Sequence, residues 1–330
     1  MSQLPVKRDL GRSGIVVSGM GLGCWAIGGP FWRGDIPVGW GEVDDDESIR
    51  ALQRAFDLGV TFFDTADVYG TGHSERILGR ALADVRDQVV IATKFGNIFD
   101  EESRQITGSS SDPDYIRQAC EDSLTRMNTD YIDLYQLHSG GLSIEDARPV
   151  RDTLEELVAE GKIRAYGWST DDPERARFFA EGEHCTSVQH QMNVLNDAPA
   201  MIELCEARNL ASINRGPLAM GLLSGKYDED SKLPENDVRG ENAPSWMKYF
   251  KDGKPNPVFL EKLRAIREIL TADGRTLVQG ALGWIWARSE QTVPIPGFRT
   301  VDQVEENAKA MDLGPLSDEQ VAAIDELLDR

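Results

Sequence analysis

The 330-residue sequence predicts a (β/α)8 barrel, with an N-terminal β-hairpin and extra helices in its C-terminal half. Three observations predict it. From residue 44 onward, short apolar runs alternate with amphipathic segments of about ten to fifteen residues, the order of repeated β–α units. Three successive runs end on a chemically distinctive side chain: 60–63 delivers Asp64, 89–93 delivers Lys94, and 131–137 delivers His138. In a parallel barrel such strand ends converge on one mouth. Finally, the glycine-rich tract Met20–Gly29 is no dinucleotide fingerprint, because counting from Gly21 the third glycine of GxGxxG falls on Ala26 and no helix follows.

Each element has a local reason. Residues 7–18 read as a hairpin turning at Gly11–Gly14, with a first barrel strand near 17–22. A loop rich in Gly, Pro and Trp runs to Glu42. Asp44, Asp45, Asp46 and Glu47 then supply acids to the start of a helix reaching Phe56, whose Ile49, Leu52, Ala55 and Phe56 share a face. Helix 74–84 takes Ser74 as its N-cap. Strand 89–93 leads through a polar loop, 97–112, to helix 113–127, with Pro113 in its first turn. Helix 147–160 ends at Gly161. Strands 163–168, 186–192 and 210–214 are spaced by helices near 172–181 and 198–208. Helix 276–288, strand 292–295 and a helix near 302–311 complete the alternation. The stretch 226–256 holds three prolines with charges and aromatics, which reads as a lid, a binding loop or disorder. Helices 257–271 and 317–329 are surplus to the barrel. No internal boundary divides the chain, so residues 1–330 read as one domain.

Composition narrows the function. A net charge of −21 argues against nucleic-acid partners, since little here could neutralise a row of phosphates. No run of 18 apolar residues suggests a membrane span, and no charged-then-apolar leader opens the chain. Cys24, Cys120, Cys185 and Cys205 are widely spaced, as expected of reduced, buried thiols in a cytoplasmic protein. No metal site is expected. A small molecule is the expected partner, with the chain a monomer or homo-oligomer.

Asp64, Tyr69, Lys94 and His138 together form an acid–phenol–amine–imidazole set. Alone, each has a bland explanation: a helix-capping acid, a packing tyrosine, a structural histidine. Lys94 is the most telling, because burying an ammonium at the end of an apolar strand is costly without a partner. A neighbouring ammonium lowers a tyrosine's pKa, and a carboxylate keeps that ammonium charged. Such a set is suited to handing a proton to a carbonyl.

The segments Phe63-Asp64-Thr65-Ala66-Asp67-Val68-Tyr69-Gly70, Ala92-Thr93-Lys94 and Leu137-His138 resemble the signature segments of the aldo-keto reductase family. The resemblance runs in order over essentially the whole chain, through Gly221–Lys226 and Pro296-Gly297 to Glu306-Asn307. It implies an NADPH-binding barrel, with NADH the less expected cofactor, that reduces an aldehyde or ketone by hydride transfer. It further implies Tyr69 as general acid, Lys94 as the tuner of its pKa, Asp64 as the holder of Lys94, and His138 as the group orienting substrate.

Cofactor positions carry over in the same way. Ser169 and Thr170 stand where the family grips the nicotinamide carboxamide, Thr170 in place of an asparagine, and Gln189 completes that grip. Arg215 takes the place of a stacking aromatic. Gly216, Pro217, Leu218 and Lys226 follow the pyrophosphate. Gly297 replaces a lysine of some branches, leaving Arg299 and Gln303 for the 2′-phosphate and Glu306 and Asn307 for adenine. Trp25 is expected at both cofactor and substrate, and Phe95 on the substrate wall. Ser139-Gly140-Gly141 follows His138 without the Trp-Pro of many relatives. Two other readings compete. One is an aldolase-type barrel using Lys94 as a Schiff-base nucleophile; the other is a non-catalytic NADPH-binding regulatory subunit.

Overall fold

The computed structural model describes residues 6–330. Its centre is an eight-stranded parallel sheet of β1 (Gly21–Gly23), β2 (Phe62–Asp64), β3 (Val90–Phe95), β4 (Ile132–Leu137), β5 (Ile163–Ser169), β6 (Cys185–Gln191), β7 (Ala211–Arg215) and β8 (Thr292–Pro294). Each strand pairs with its successor in chain order. The sheet closes where the Gly23 N–H donates to Pro296 O at 3.0 Å and Gly23 bridges Gly297. Only glycine fits this seam, because a Cβ on Gly23 would lie 2.9 Å from Ile295 O.

The surrounding helices are α1 (Asp45–Asp57), α2 (His73–Ala81), α3 (Pro113–Met127), α4 (Ile144–Ala159), α5 (Pro173–Phe179), α6 (Pro199–Arg208), α7 (Pro257–Leu270), α8 (Leu277–Arg288), α9 (Val301–Leu313) and α10 (Asp318–Leu327). None among the described residues is long and apolar enough to cross a membrane. Strand alternation sorts the side chains. Phe62, Val90, Ala92, Leu134, Ala165, Ala211, Ile213 and Val293 fill the barrel interior. Leu10, Ile15 and Val17 join them from the hairpin Lys7–Asp9/Val16–Ser18, which plugs the floor. The opposite faces of β3, β4 and β5 send Ile91, Phe95, Tyr135, Leu137 and Trp168 into the layer under the helices.

Several local expectations change. Helix α2 starts at His73 and its cap is Gly72 at φ +92°, not Ser74. The Ser74 hydroxyl instead donates to Cys24 O at 2.9 Å, tying the first turn of α2 to the loop after β1. Helix α4 begins at Ile144, three residues before the expected start, because Ser143 caps it through the Asp146 N–H and the helix accommodates Pro149. The polar loop after β3 contains a hairpin, Asn97–Asp100 paired with Gln105–Ser109. It joins a second hairpin, Trp32–Arg33/Ile36–Pro37, in a four-stranded sheet beside the barrel mouth. The 226–256 excursion is ordered. Val238 N–H donates to Gly39 O at 2.8 Å, Trp40 bridges Asp237, and the Arg239 guanidinium, paired with Asp237 at 2.7 Å, lies 4.3 Å from the Trp40 ring centroid.

Candidate active site

At the mouth, the inward phase of neighbouring strands presents Asp64 from β2, Lys94 from β3, Gln136 from β4 and Gln189 from β6, all buried. Lys94 Nζ donates to Asp64 Oδ1 at 2.6 Å and to Thr65 O at 2.7 Å. Its third contact is Tyr69 Oη, at 3.4 Å. The other Asp64 oxygen accepts from Gln189 Nε2 at 2.7 Å and Gln136 Nε2 at 3.1 Å. A single carboxyl group therefore organises the ammonium and two amides.

Tyr69 is aimed by its loop. Gly70, at φ +60°, presses so closely on the loop after β1 that a Cβ would fall 1.7 Å from Gly28 O. That contact brings the Tyr69 ring parallel to Trp25, centroids 5.9 Å apart at 21°, with the His138 ring edge-on at 5.8 Å. Trp25 is in turn fixed by its indole N–H to Val38 O at 3.0 Å.

Electrostatics set the protonation states. Burial is the largest influence on Lys94 and opposes its charge, yet Asp64 and Tyr69 outweigh it and its pKa is raised. Burial also raises the Tyr69 pKa above its ordinary value, with Lys94 pulling the other way. The sequence-based expectation of a lowered Tyr69 pKa is thus reversed by desolvation: the phenol keeps its proton at neutral pH. Burial, then Lys94 and Arg215, holds His138 well below the ordinary histidine range, so its imidazole is neutral. Asn97 Nδ2 lies 3.5 Å from His138 Nδ1, a contact compatible with the tautomer that carries its proton on Nε2.

These groups face a cavity of about 630 Å³. Its lining includes Trp25, Asp64, Tyr69 and His138, and then Ser169, Gln189, Arg215, Gly216, Pro217 and Leu218. Lys226, Gly297, Arg299, Gln303, Glu306 and Asn307 line it as well. A second cavity of about 700 Å³ shares Lys226, Arg299 and Gln303 with the first, so the two adjoin at that end. Arg215 forms an ion pair with Asp171, and the Arg299 guanidinium donates to the carbonyls of Trp40, at 3.2 Å, and Glu42. The Arg299 N–H donates to Gln303 Oε1 at 2.8 Å.

Three expected residues are absent from that lining: Lys94, which stands buried behind Tyr69 and Asp64, Phe95 and Thr170. Phe95 is fully buried with its ring 4.6 Å from Tyr135, because alternation turns it to the opposite side of β3 from Lys94. Thr170 is also buried, its hydroxyl donating to Gly140 O at 3.2 Å. Conversely, Gln136, Asn97 and Asp171 belong to the neighbourhood and were not singled out. Gln136 had a readable signal, standing two residues before His138 in the same inward phase.

A family model described as the aldo/keto reductase family matches residues 19–329. The chain belongs to that family. The aldo-keto reductase yakc [NADP(+)] of Schizosaccharomyces pombe is 31% identical over 324 residues, covering 95% of this chain and 89% of its own. Among solved structures, the glycerol dehydrogenase AKR11B4 from Gluconobacter oxydans superposes with TM-score 0.81 at 30% identity, over 98% of this chain and 95% of that one. An aldo-keto reductase from Klebsiella pneumoniae in complex with NADPH superposes at 0.71 and 25% identity, over 99% and 96%.

Proposed function

We propose that this protein reduces an aldehyde or ketone to the alcohol with NADPH, using Tyr69 as the general acid. The observation that carries the reading is the buried Lys94 ammonium, held by Asp64 and directed at the Tyr69 hydroxyl. NADP-type cofactors appear in the names of both the yeast relative and the Klebsiella structure. Bound NADPH supplies the hydride.

The lining suits that cofactor. Gln189 commits its N–H group to Asp64, which leaves Oε1 to accept from a carboxamide, and the Ser169 hydroxyl stands on the next strand. Gly216, at φ +61°, gives the loop after β7 a conformation that side chains rarely adopt, with Pro217 and Leu218 following along the same wall. Lys226, Arg299 and Gln303 provide a cationic, hydrogen-bonding end for a 2′-phosphate, with Glu306 and Asn307 for adenine. Trp25 adjoins both the cofactor and the substrate positions.

His138, neutral and a donor through Nε2, orients the carbonyl oxygen. As the carbon is reduced, Tyr69 passes its proton to that oxygen, and the phenolate left behind is stabilised by Lys94 at 3.4 Å. Solvent then restores the proton. Lys94 itself is poorly suited to a Schiff base, since the pairing that raises its pKa removes the free amine such chemistry requires. A cytoplasmic setting agrees with four free, buried cysteines.

The test is absorbance at the NADPH band with 4-nitrobenzaldehyde, methylglyoxal, pyridoxal, sugar aldehydes and ketones. Turnover that falls about 10²–10⁴-fold in Tyr69→Phe is expected. NADPH binding without turnover on any substrate would favour a regulatory subunit. Absence of NADPH binding would sink the cofactor assignment.

A further inference from the structure

The charges around the cavity are unevenly neutralised. Asp64 is paired with Lys94, Asp171 with Arg215, and Arg239 with Asp237. Arg299 is engaged with two carbonyls. Arg33 is different. It is an exposed guanidinium on the cavity lining, forms no ion pair among the described residues, and makes one hydrogen bond, from Nη2 to Asn97 Oδ1 at 3.3 Å. In a chain of net charge −21, an unpaired cation at the mouth stands out against its background.

Its platform is fixed rather than trailing. Trp32 N–H donates to Arg104 O at 3.0 Å, Gly34 N–H to Gln105 Oε1 at 3.0 Å, and Gln105 Nε2 returns to Gly34 O at 3.3 Å. Through Asn97 the guanidinium is linked to His138, which puts it within roughly 9 Å of the imidazole, two hydrogen-bond lengths and one amide away. On the same lining Trp25, Phe31, Val38 and Ile106 belong to one apolar cluster, which forms a wall of the cavity. Two lysines on the lining also lack a carboxylate: Lys226 lies over Tyr227 at the end shared with the second cavity, and Lys248 already donates to Asn196 Oδ1 at 2.5 Å and lies over Tyr249. Arg33 has further N–H groups in a planar fork matched to an oxyanion.

We propose that Arg33 forms an oxyanion subsite, so that the preferred carbonyl substrates carry a carboxylate or phosphate one ring's length from the reacting carbon. This rests on the reductase reading and deepens it. The carbonyl end meets Tyr69 and His138, the body of the substrate covers the apolar wall, and the anionic end meets Arg33.

The experiment compares kcat/KM for 4-carboxybenzaldehyde against benzaldehyde, and for glyceraldehyde 3-phosphate against glyceraldehyde, with NADPH. At low salt at least one charged partner should be favoured about five- to tenfold, a preference that shrinks at high salt. Whichever pair shows it names the oxyanion. In Arg33→Gln the charged-to-neutral ratio should fall to about one, and Arg33→Lys should retain part of it. An unchanged ratio in Arg33→Gln, or a ratio abolished only by Lys248→Gln, overturns the assignment. If no aldehyde is turned over, the reductase reading has failed instead. Tryptophan fluorescence with 4-carboxybenzoate and with inorganic phosphate then decides the subsite separately: weaker binding of either in Arg33→Gln supports it, and equal binding refutes it.

Discussion

Two buried acids on strands that flank β3 in the same barrel have opposite fates. Asp133, at the start of β4, accepts from Arg86 at 2.8 Å, Arg164 at 2.5 Å and the Ile91 N–H at 3.0 Å. It absorbs every donor that reaches it and joins three chain segments. Asp64, at the other end of its strand, also holds a cation and two amides, but its partner Lys94 reaches onward to Tyr69. Burial and pairing are alike, so neither marks a reactive group by itself. What distinguishes the mouth is a donor whose remaining contact faces a cavity, in keeping with chemistry at the carboxyl ends of barrel strands and stability at the amino ends.

That contrast can be broken from both sides. Lys94→Met should lower kcat/KM by about 10³-fold or more, measured by NADPH oxidation, while circular dichroism shows a folded barrel. Asp133→Asn should do the reverse, costing about 3 kcal/mol in urea unfolding while folded molecules keep their kcat. If Asp133→Asn abolished turnover in folded protein, the division between the two ends would be wrong.

Two histidines, buried His190 and half-buried His138, sharpen it further. His190 lies on the outward phase of β6, bonded to Ser212 Oγ at 2.7 Å, and burial pushes its pKa down to about 4. Its folded pKa is below the unfolded value, so the unfolded chain binds more protons as pH falls through 6.5 toward 4. Stability is therefore lost in that window, by up to about 3 kcal/mol, and His190→Gln should flatten the unfolding-versus-pH curve. His138, also held low, should instead leave its mark on catalysis: kcat/KM shows no break near 6.5, and its alkaline decline lies above 10, where the raised Tyr69 pKa falls. A break at 6.5 would mean that His138 titrates in the open mouth.

The smallest effect belongs to Phe95→Leu. It should cost about 1–2 kcal/mol of stability through lost packing on Tyr135, with KM changed by less than about twofold.

The alternation of strands and helices was legible because a period of two and a period of 3.6 are both written in apolar spacing. Asp64, Lys94 and His138 were legible because each follows an unmistakable apolar run. Phe95 went astray because alternation was not carried one residue past Lys94, and Gln136 because it was not carried two residues back from His138. Ser74 as a cap failed for a different reason: Gly72 takes a left-handed conformation that no hydrogen-bonding pattern announces. Asn97 and Arg33 lie in hairpin strands of two to four residues, too short for any period to register. Asp171 finds Arg215 across 44 residues of sequence, a pairing fixed by tertiary register alone.

The floor hairpin has a bearing on how the chain comes to be assembled. Arg12 binds the carbonyls of Cys185, Ala180 and Gly182 at 2.9, 2.8 and 2.6 Å, the first of them 173 residues later. During synthesis the earliest segment made must wait for β6 before its own partners exist. Docking of the floor thus waits until more than half of the chain is made, and closes a loop of that length. Arg12→Ala should accordingly speed unfolding far more than it slows refolding, which stopped-flow fluorescence would read.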